Sequence, residues 1–175
     1  MRQLEAEGLV RLQTHKGAIV TALSPEEVGE LFDLRVLLEA ELLRLAVPRM
    51  TKADLDASET AVARLEAAYR EHDVAGWGVL NWEYHRSLYA PASKAQTMAL
   101  ALTINNQTDR YIRIQLLLTG KLEQAEREHR ELLLLCRKED AAAAVALLRR
   151  HILGTKAALL LAMQEGSGSV HPAPR

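Results

Sequence analysis

Four residues of this sequence combine a metal-binding type with a spacing that could bring them together. Asn81 and His85 are four residues apart in NWEYHRSLY, and on an α-helix that spacing puts both side chains on one face, a turn apart. His129 and His151 flank a turn predicted near Lys138 to Asp140, each about ten residues from it, or roughly 15 to 17 Å along a helix. Antiparallel packing of the two helices would bring these two histidines level.

Three imidazoles and one carbonyl oxygen, arriving from three helices, would suit zinc, nickel or another borderline divalent ion. Such a site would also leave coordination positions open. The alternative is that each histidine is separately a surface residue or a hydrogen-bonded core residue. The spacing does not decide between these two interpretations.

The composition favours packed helices over sheets, with 49% hydrophobic residues, 4% aromatic residues, nine glycines and five prolines. A net charge of −1 gives no global field that would draw nucleic acid or a membrane surface. The single cysteine, Cys136, cannot form an internal disulfide and is expected to be a reduced core residue. Since no long apolar stretch or leader pattern is present, we expect one soluble, cytoplasmic main domain.

Capping patterns and helical spacing of apolar residues predict an all-α fold, an antiparallel bundle of six helices. The predicted caps are Ser24 with Glu27, Thr51 with Asp54, Asp73, and Ser93 with Gln96. The predicted helices cover about 25 to 47, from Thr51 to about 70, from Asp73 to before Pro91, from Ser93 to about 119 before Gly120, about 122 to 137, and about 141 to 164.

The two ends of the chain have a different character. Residues 1–8 resemble the last turns of a helix closed by Gly8, and a short β-hairpin is predicted from Leu9 to Val20 with Gly17 at its turn. The final residues, 165–175, are rich in Gly, Ser and Pro and are predicted to be disordered.

The order of these segments resembles a known family. RQLEAEGLVRLQTHKGAIV followed by LSPEEVGELFDLRVLLE is similar to the junction between the winged helix-turn-helix and the helical effector-binding domain of GntR-type bacterial transcription regulators, FadR-like subgroup. LNWEYHRSLY, DRYIR and EHRELLLLCRKEDAAAAVALLRRHI then follow in the order expected of that helical domain, the FCD type. The resemblance implies a winged helix-turn-helix remnant over 1–22, an effector-binding and dimerisation domain over 23–164, and a tail over 165–175.

The resemblance also implies a site. In this family an Asp or Asn four residues before a His, with one His from each of the last two helices, binds a metal at the base of an effector cavity, and those positions match the four residues above. The implied effector is a small organic or sugar acid, and Arg35 is a candidate partner for its carboxylate, the alternative being an ion pair on the bundle surface. Arg110 and Arg113 in DRYIR are weaker candidates for the same role, and a solvated face is the favoured alternative for both. Asn in place of Asp is expected to weaken the electrostatics of the site.

A winged helix-turn-helix needs three helices before its hairpin, and here only closing turns, from Arg2 to Glu7, are expected. Arg11, His15 and Lys16 could contact phosphates, but two or three such contacts give weak binding without sequence choice. This chain alone is therefore expected not to read an operator, and DNA becomes a partner only where the missing helices are present.

The leading hypothesis is a ligand-responsive transcription regulator, which is not an enzyme and forms a homodimer. A metal-dependent enzyme on a helical bundle is the second, because an open three-histidine site can activate water. Against it, no general base is evident, since Glu83 points off the metal face and Glu128 is only adjacent to His129. A purely structural dimerising bundle is the third.

Overall fold

The computed structural model describes residues 10–13, 17–20 and 24–168, and it describes side chains over 24–164 apart from residues 110, 114, 115, 118 and 119. Over this part of the chain six α-helices form a bundle, which confirms the predicted all-α fold. The helices are α1 (Pro25–Ala46), α2 (Lys52–Arg70), α3 (Val74–Tyr89), α4 (Ala95–Thr119), α5 (Leu122–Arg137) and α6 (Ala141–Gly168). Single 3-10 turns follow α1 at Val47–Arg49 and α3 at Ala90–Ala92.

Capping boxes begin the first two helices. Ser24 Oγ accepts a hydrogen bond from the Glu27 amide at 3.2 Å, and Glu27 Oε2 accepts one from the Ser24 amide at 2.7 Å. Thr51 and Asp54 make the same exchange, and Asp73 caps α3 by accepting from a backbone amide of its first turn. These bonds satisfy amides that have no partner within the helix, and they confirm the predicted starts.

The start of α4 differs from the prediction. Ser93 has a φ of 54° in the left-handed region, and Lys94 precedes the helix without a side-chain capping bond. Arg49 donates from Nη1 to the Ala92 carbonyl at 3.0 Å, which ties this turn to the segment after α1. The predicted cap at Ser93 is wrong. The local sequence pattern does not encode the left-handed conformation of Ser93, which is accompanied by the contact from Arg49, a residue distant in sequence.

At the other end of the chain, α6 runs to Gly168, beyond the predicted end at about 164 and into the predicted tail 165–175. Glycine inside a helix costs about 1 kcal/mol relative to alanine, which weakens a helix without ending it. The boundary at 165 is therefore corrected, and residues 169–175 lie outside the described part of the chain.

The predicted hairpin corresponds to two short strands. β1 (Val10–Gln13) pairs antiparallel with β2 (Gly17–Val20), with Gln13 opposite Gly17. Residues 1–9, 14–16 and 21–23 lie outside the description, so the predicted helix remnant and the turn itself are not described.

Helix α1 packs against α6, α4 and α3, while α2 packs between α3 and α5. The largest fully buried side chains belong to this common core and include Phe32, Trp77, Tyr84, Tyr89 and Leu132. Among the residues that the structure describes, no helix combines the length and the apolar character needed to cross a membrane. The bundle encloses the buried interior in which the candidate site lies.

Candidate metal and effector site

Three histidines from three helices meet inside the bundle. His85 lies on α3, His129 on α5 and His151 on α6, and each offers a nitrogen within 4.8 Å of those of the other two. The ring centroids are 5.1 Å apart for His85 and His129, 5.7 Å for His85 and His151, and 4.9 Å for His129 and His151. His85 is 1% and His129 2% exposed, and His151 is half-buried.

The connection between α5 and α6 brings two of these rings together. It reverses the chain in a few residues, with Glu139 at a φ of 58°, so residues equally far from it lie side by side, as the spacing of His129 and His151 predicted. Leu132 follows His129 and Leu148 precedes His151 on the buried faces of the same helices. The apolar pattern therefore points both histidines inward.

Two of the rings are held by neighbouring side chains through their Nδ1 atoms. Nδ1 of His85 lies 3.2 Å from the Tyr89 hydroxyl oxygen, and Nδ1 of His151 lies 2.6 Å from Oε2 of Glu128. The Tyr84 hydroxyl donates to the backbone carbonyl of His129 at 2.7 Å, which fixes the backbone of α5 at that residue and leaves its ring free.

Three buried ring nitrogens in the described part of the chain have no hydrogen-bond partner: Nε2 of His85 and both nitrogens of His129. Leaving a buried polar atom unpaired costs about 1 to 3 kcal/mol, so such a concentration at one point calls for a ligand. Neutral imidazole nitrogens are good donors to zinc and to similar ions, and the donor set fits a metal on this ground.

Burial also prepares these rings to act as ligands. Removal from water lowers the pKa of His85 well below its ordinary value, and the other two histidines and Arg35 lower it further. Burial, followed by the effect of His151, likewise lowers the pKa of His129. Both rings are therefore neutral at neutral pH, the form in which histidine binds a metal.

A cavity adjoins the histidine cluster. Asn81, Arg35 and Thr155 line it together with His129 and His151. Asn81 is half-buried, one helical turn before His85, so the amide predicted as a fourth ligand lies on the wall of the same cavity. The structure thus brings the three predicted histidines together and puts both other predicted site residues beside them.

Arg35 is an ion-paired residue, but its place differs from the predicted alternative of a surface pair. Its side chain is 4% exposed, and Nε donates to Oε1 of Glu39 at 2.6 Å. Glu39, whose side chain is fully buried, also accepts from the Tyr89 hydroxyl at 2.8 Å. Arg35 therefore lines the cavity and also belongs to a buried row of hydrogen bonds that includes Glu39 and Tyr89.

The remaining predicted residues contribute less. Arg113 pairs with Asp109 at 3.0 Å and is partly exposed. The side chain of Arg110 is outside the description. Arg11 lies in β1, opposite Ile19, with its side chain not described, and His15 and Lys16 fall among the residues that are not described.

Sequence reasoning missed Tyr89, Glu39 and Glu128. A signal existed for the first two, because Tyr89 follows His85 by four residues and Glu39 follows Arg35 by four, the spacing at which helical side chains meet. Glu128 was considered only as a neighbour of His129, whereas it contacts His151 across the helix pair.

Comparison with known proteins agrees with this geometry. Residues 30–154 match the FCD domain family. A crystal structure of a GntR family transcriptional regulator from Pseudomonas syringae pv. tomato is 34% identical, with a TM-score of 0.74, and the match covers 97% of this chain and 70% of that one. The chain belongs to the GntR family.

Two sequence relatives of this GntR chain support the assignment. An HTH-type transcriptional regulator of Agrobacterium vitis, from the TAR-I ttuE-ttuC' intergenic region, is 36% identical over 101 residues, 54% of this chain and 57% of the relative. The HTH-type transcriptional repressor GlaR of Escherichia coli is 28% identical over 161 residues, 87% of this chain and 73% of that protein. This chain therefore spans little more than half the length of the Agrobacterium relative.

The GntR family consists of transcription regulators rather than enzymes. Its members bind DNA and small effector molecules and usually form dimers, and FCD domains in some members bind metals.

Proposed function

We propose that this chain is the effector-sensing part of a ligand-responsive bacterial transcription regulator, which binds a small organic or sugar acid at a metal-containing cavity. The observation that carries the proposal is the cluster of three histidines with unpartnered buried nitrogens, two of which, His129 and His151, line a cavity together with Arg35 and Asn81. The match of residues 30–154 to the FCD family supports a role for this cavity in sensing.

His85, His129 and His151 would hold the metal, with the amide oxygen of Asn81 as a fourth ligand. Three imidazoles and one amide favour a borderline divalent cation, and zinc and nickel are the leading candidates. All four donors are neutral, so a bound ion would keep its full positive charge for an anionic effector. The effector is thus expected to carry a carboxylate.

Arg35 would bind the effector from the other side of the cavity. Its Nε is engaged by Glu39, while Arg35 also lines the cavity. An arginine can pair with a carboxylate through two parallel hydrogen bonds. Asn81 and Thr155 offer uncharged polar groups nearby, which suit the hydroxyls of a sugar acid or a hydroxy acid.

The partners follow from the family. We propose a homodimer acting in the bacterial cytoplasm, where a transcription regulator meets its DNA. Arg11, His15 and Lys16 remain candidate phosphate contacts, and sequence-specific DNA binding would require a complete winged helix-turn-helix.

Elemental analysis of the purified, untagged protein tests the metal. We expect about one transition-metal ion per chain, and we expect His129→Ala to lower this occupancy while the helical content by circular dichroism stays unchanged. His72→Ala is the matched control, because His72 is exposed and is not part of the cluster. Full occupancy in His129→Ala, or no metal in the wild type after zinc or nickel is supplied, would refute the ligand set.

Calorimetric titration with a panel of small carboxylic acids tests the effector. Binding is expected for the metal-loaded wild type and is expected to be weaker for Arg35→Gln. Failure of every organic and sugar acid to bind the loaded protein would refute the sensing role.

A further inference from the structure

Two of the metal ligands proposed above, His85 and His151, are contacted at Nδ1 by a second layer of side chains. We infer that Tyr89, held in place by Glu39 and Arg35, is a positioning residue that fixes His85 as its Nδ1–H tautomer and leaves the lone pair of Nε2 for a metal ion. This inference deepens the proposed function and rests on it for its biological meaning.

The first step concerns the proton of Tyr89. The hydroxyl has one hydrogen, and it lies 2.8 Å from Oε2 of Glu39 and 3.2 Å from Nδ1 of His85. A carboxylate paired with a guanidinium has no proton to donate and can only accept, so the hydroxyl hydrogen goes to Glu39. The hydroxyl oxygen must then accept from His85, and Nδ1 of His85 must carry a hydrogen.

The second step concerns Glu39, the group to which the Tyr89 hydroxyl donates. Glu39 is 0% exposed, and Arg35 donates from Nε to its other oxygen at 2.6 Å. With both carboxylate oxygens engaged and no water surface within reach, Glu39 cannot turn away from Tyr89. The direction of each hydrogen bond is therefore fixed in turn, from Arg35 to Glu39, from Tyr89 to Glu39, and from His85 to Tyr89.

The third step concerns the nitrogen that remains. A neutral imidazole carries one hydrogen, so an Nδ1–H tautomer leaves a lone pair on Nε2. That atom is buried and has no hydrogen-bond partner among the described residues, and His85 belongs to the three-histidine cluster. Without Tyr89 the buried ring would be free to exchange the two tautomers, and only one of them presents Nε2 as a ligand.

The test reads the tautomer directly in metal-free protein. Long-range ¹H–¹⁵N spectra of histidine side chains distinguish a protonated from an unprotonated ring nitrogen, and His85 is assigned by its loss in His85→Gln. We expect the Nδ1–H tautomer for His85 in the wild type and a mixture of tautomers in Tyr89→Phe. An Nε2–H tautomer in the wild type would overturn the inference without any variant being needed.

Tyr84→Phe is the matched control. Tyr84 is as buried as Tyr89, and its hydroxyl hydrogen bond goes to a backbone carbonyl rather than to a ring nitrogen. Tyr84→Phe therefore removes a buried hydroxyl without touching the bonds that join Tyr89 to Glu39 and His85. We expect the His85 tautomer to be unchanged in Tyr84→Phe. If Tyr89→Phe also leaves it unchanged, Tyr89 does not fix the tautomer.

A second measurement ties the tautomer to the metal. Outer partners of ligating histidines typically change metal affinity about 10- to 100-fold, so zinc affinity is expected to fall at least about tenfold in Tyr89→Phe and much less in Tyr84→Phe. Equal losses in the two variants would show a structural role only. If the wild type binds neither zinc nor nickel, the proposed function fails, whereas the tautomer in the metal-free protein still decides the inference separately.

Discussion

The buried imidazoles make the metal-free protein sensitive to mild acid. Burial lowers the folded-state pKa of His85 and of His129, while an unfolded chain has histidine pKa values of about 6.5. Below that pH these two histidines are protonated in the unfolded state but not in the folded state. The stability contributed by the neutral rings is therefore complete above about pH 6.5 and decreases as pH falls toward the lower folded values.

We expect the free energy of unfolding of the metal-free protein to decrease between pH 7.5 and 5.5 by up to about 1.4 kcal/mol per pH unit for each of these two histidines. Urea titrations of chelator-treated protein measure it. His72→Gln, which changes an exposed residue, should keep the same slope. A stability that stays level over this range would contradict the burial of neutral rings.

Glu128 places a negative charge one step outside a donor set that is itself neutral. It accepts from His151 at Nδ1, and this hydrogen bond, the largest influence on it, holds the pKa of Glu128 below its ordinary value. A carboxylate on the far nitrogen of a ligating histidine raises the basicity of the ligand. In the proposed site this residue would thus supply part of the charge that Asn81 lacks.

Graded substitutions of Glu128 should separate its charge from its hydrogen bond. Glutamine removes the charge but keeps an oxygen that can accept from His151, and alanine removes both. Zinc affinity should decrease from wild type to Glu128→Gln and further to Glu128→Ala, by about 10-fold or more in total. Glu131→Gln, an exposed change one turn along the same helix, should have no effect, and an unchanged affinity in Glu128→Ala would exclude the outer role.

At the scale of the elements, two glycines with the same empty surroundings should respond to alanine in opposite directions. An added Cβ meets nothing within 4 Å at Gly120 or at Gly154. Gly120 ends α4 with a φ of 62°, and a left-handed residue other than glycine costs about 1 to 2 kcal/mol. Gly154 lies inside α6, where alanine is favoured by about 1 kcal/mol.

Gly120→Ala is therefore expected to destabilise the protein by about 1 to 2 kcal/mol, and Gly154→Ala is expected to stabilise it by about 1 kcal/mol. Denaturant unfolding of the two variants beside the wild type measures both. Because neither change creates a clash, the difference in sign isolates backbone conformation. Equal shifts in the two variants would contradict the assignment of the α4 end.

Some helix boundaries and contacts could be predicted from the sequence and others could not, for physical reasons. Caps such as Ser24 and Thr51 act within one turn of helix, so local residues determine them. The predicted cap at Ser93 was wrong because Arg49, which is distant in sequence, donates a hydrogen bond to the turn just before it. The histidine cluster was predictable because helical rise and period are rigid, whereas the bond from Tyr89 to Glu39 joins α3 to α1, and no spacing within one helix encodes that pairing.

At the scale of the whole molecule, the three histidines join helices that are far apart in the chain. A metal ion bound by α3, α5 and α6 would bind the folded bundle and not the unfolded chain, where the ligands are dispersed. Mass action then adds about 2.7 kcal/mol of stability when the free metal is at 100 times its dissociation constant. For a chain of this size, each kcal/mol raises the Tm by about 2 to 4 °C.

We therefore expect zinc at that excess to raise the Tm of chelator-treated wild type by about 5 to 11 °C. His129→Ala should lose nearly all of this shift, because it removes the ligand contributed by α5, while His72→Ala should keep it. The stabilisation should also increase with the logarithm of zinc concentration. Zinc that binds weakly at the surface, at concentrations below the dissociation constant of that surface site, would not give this dependence. Thermal unfolding followed by circular dichroism over a zinc series measures all three. An unchanged Tm in wild type would show that the helices meet at the cluster without needing a metal to hold them, and the unpaired nitrogens would then require another partner.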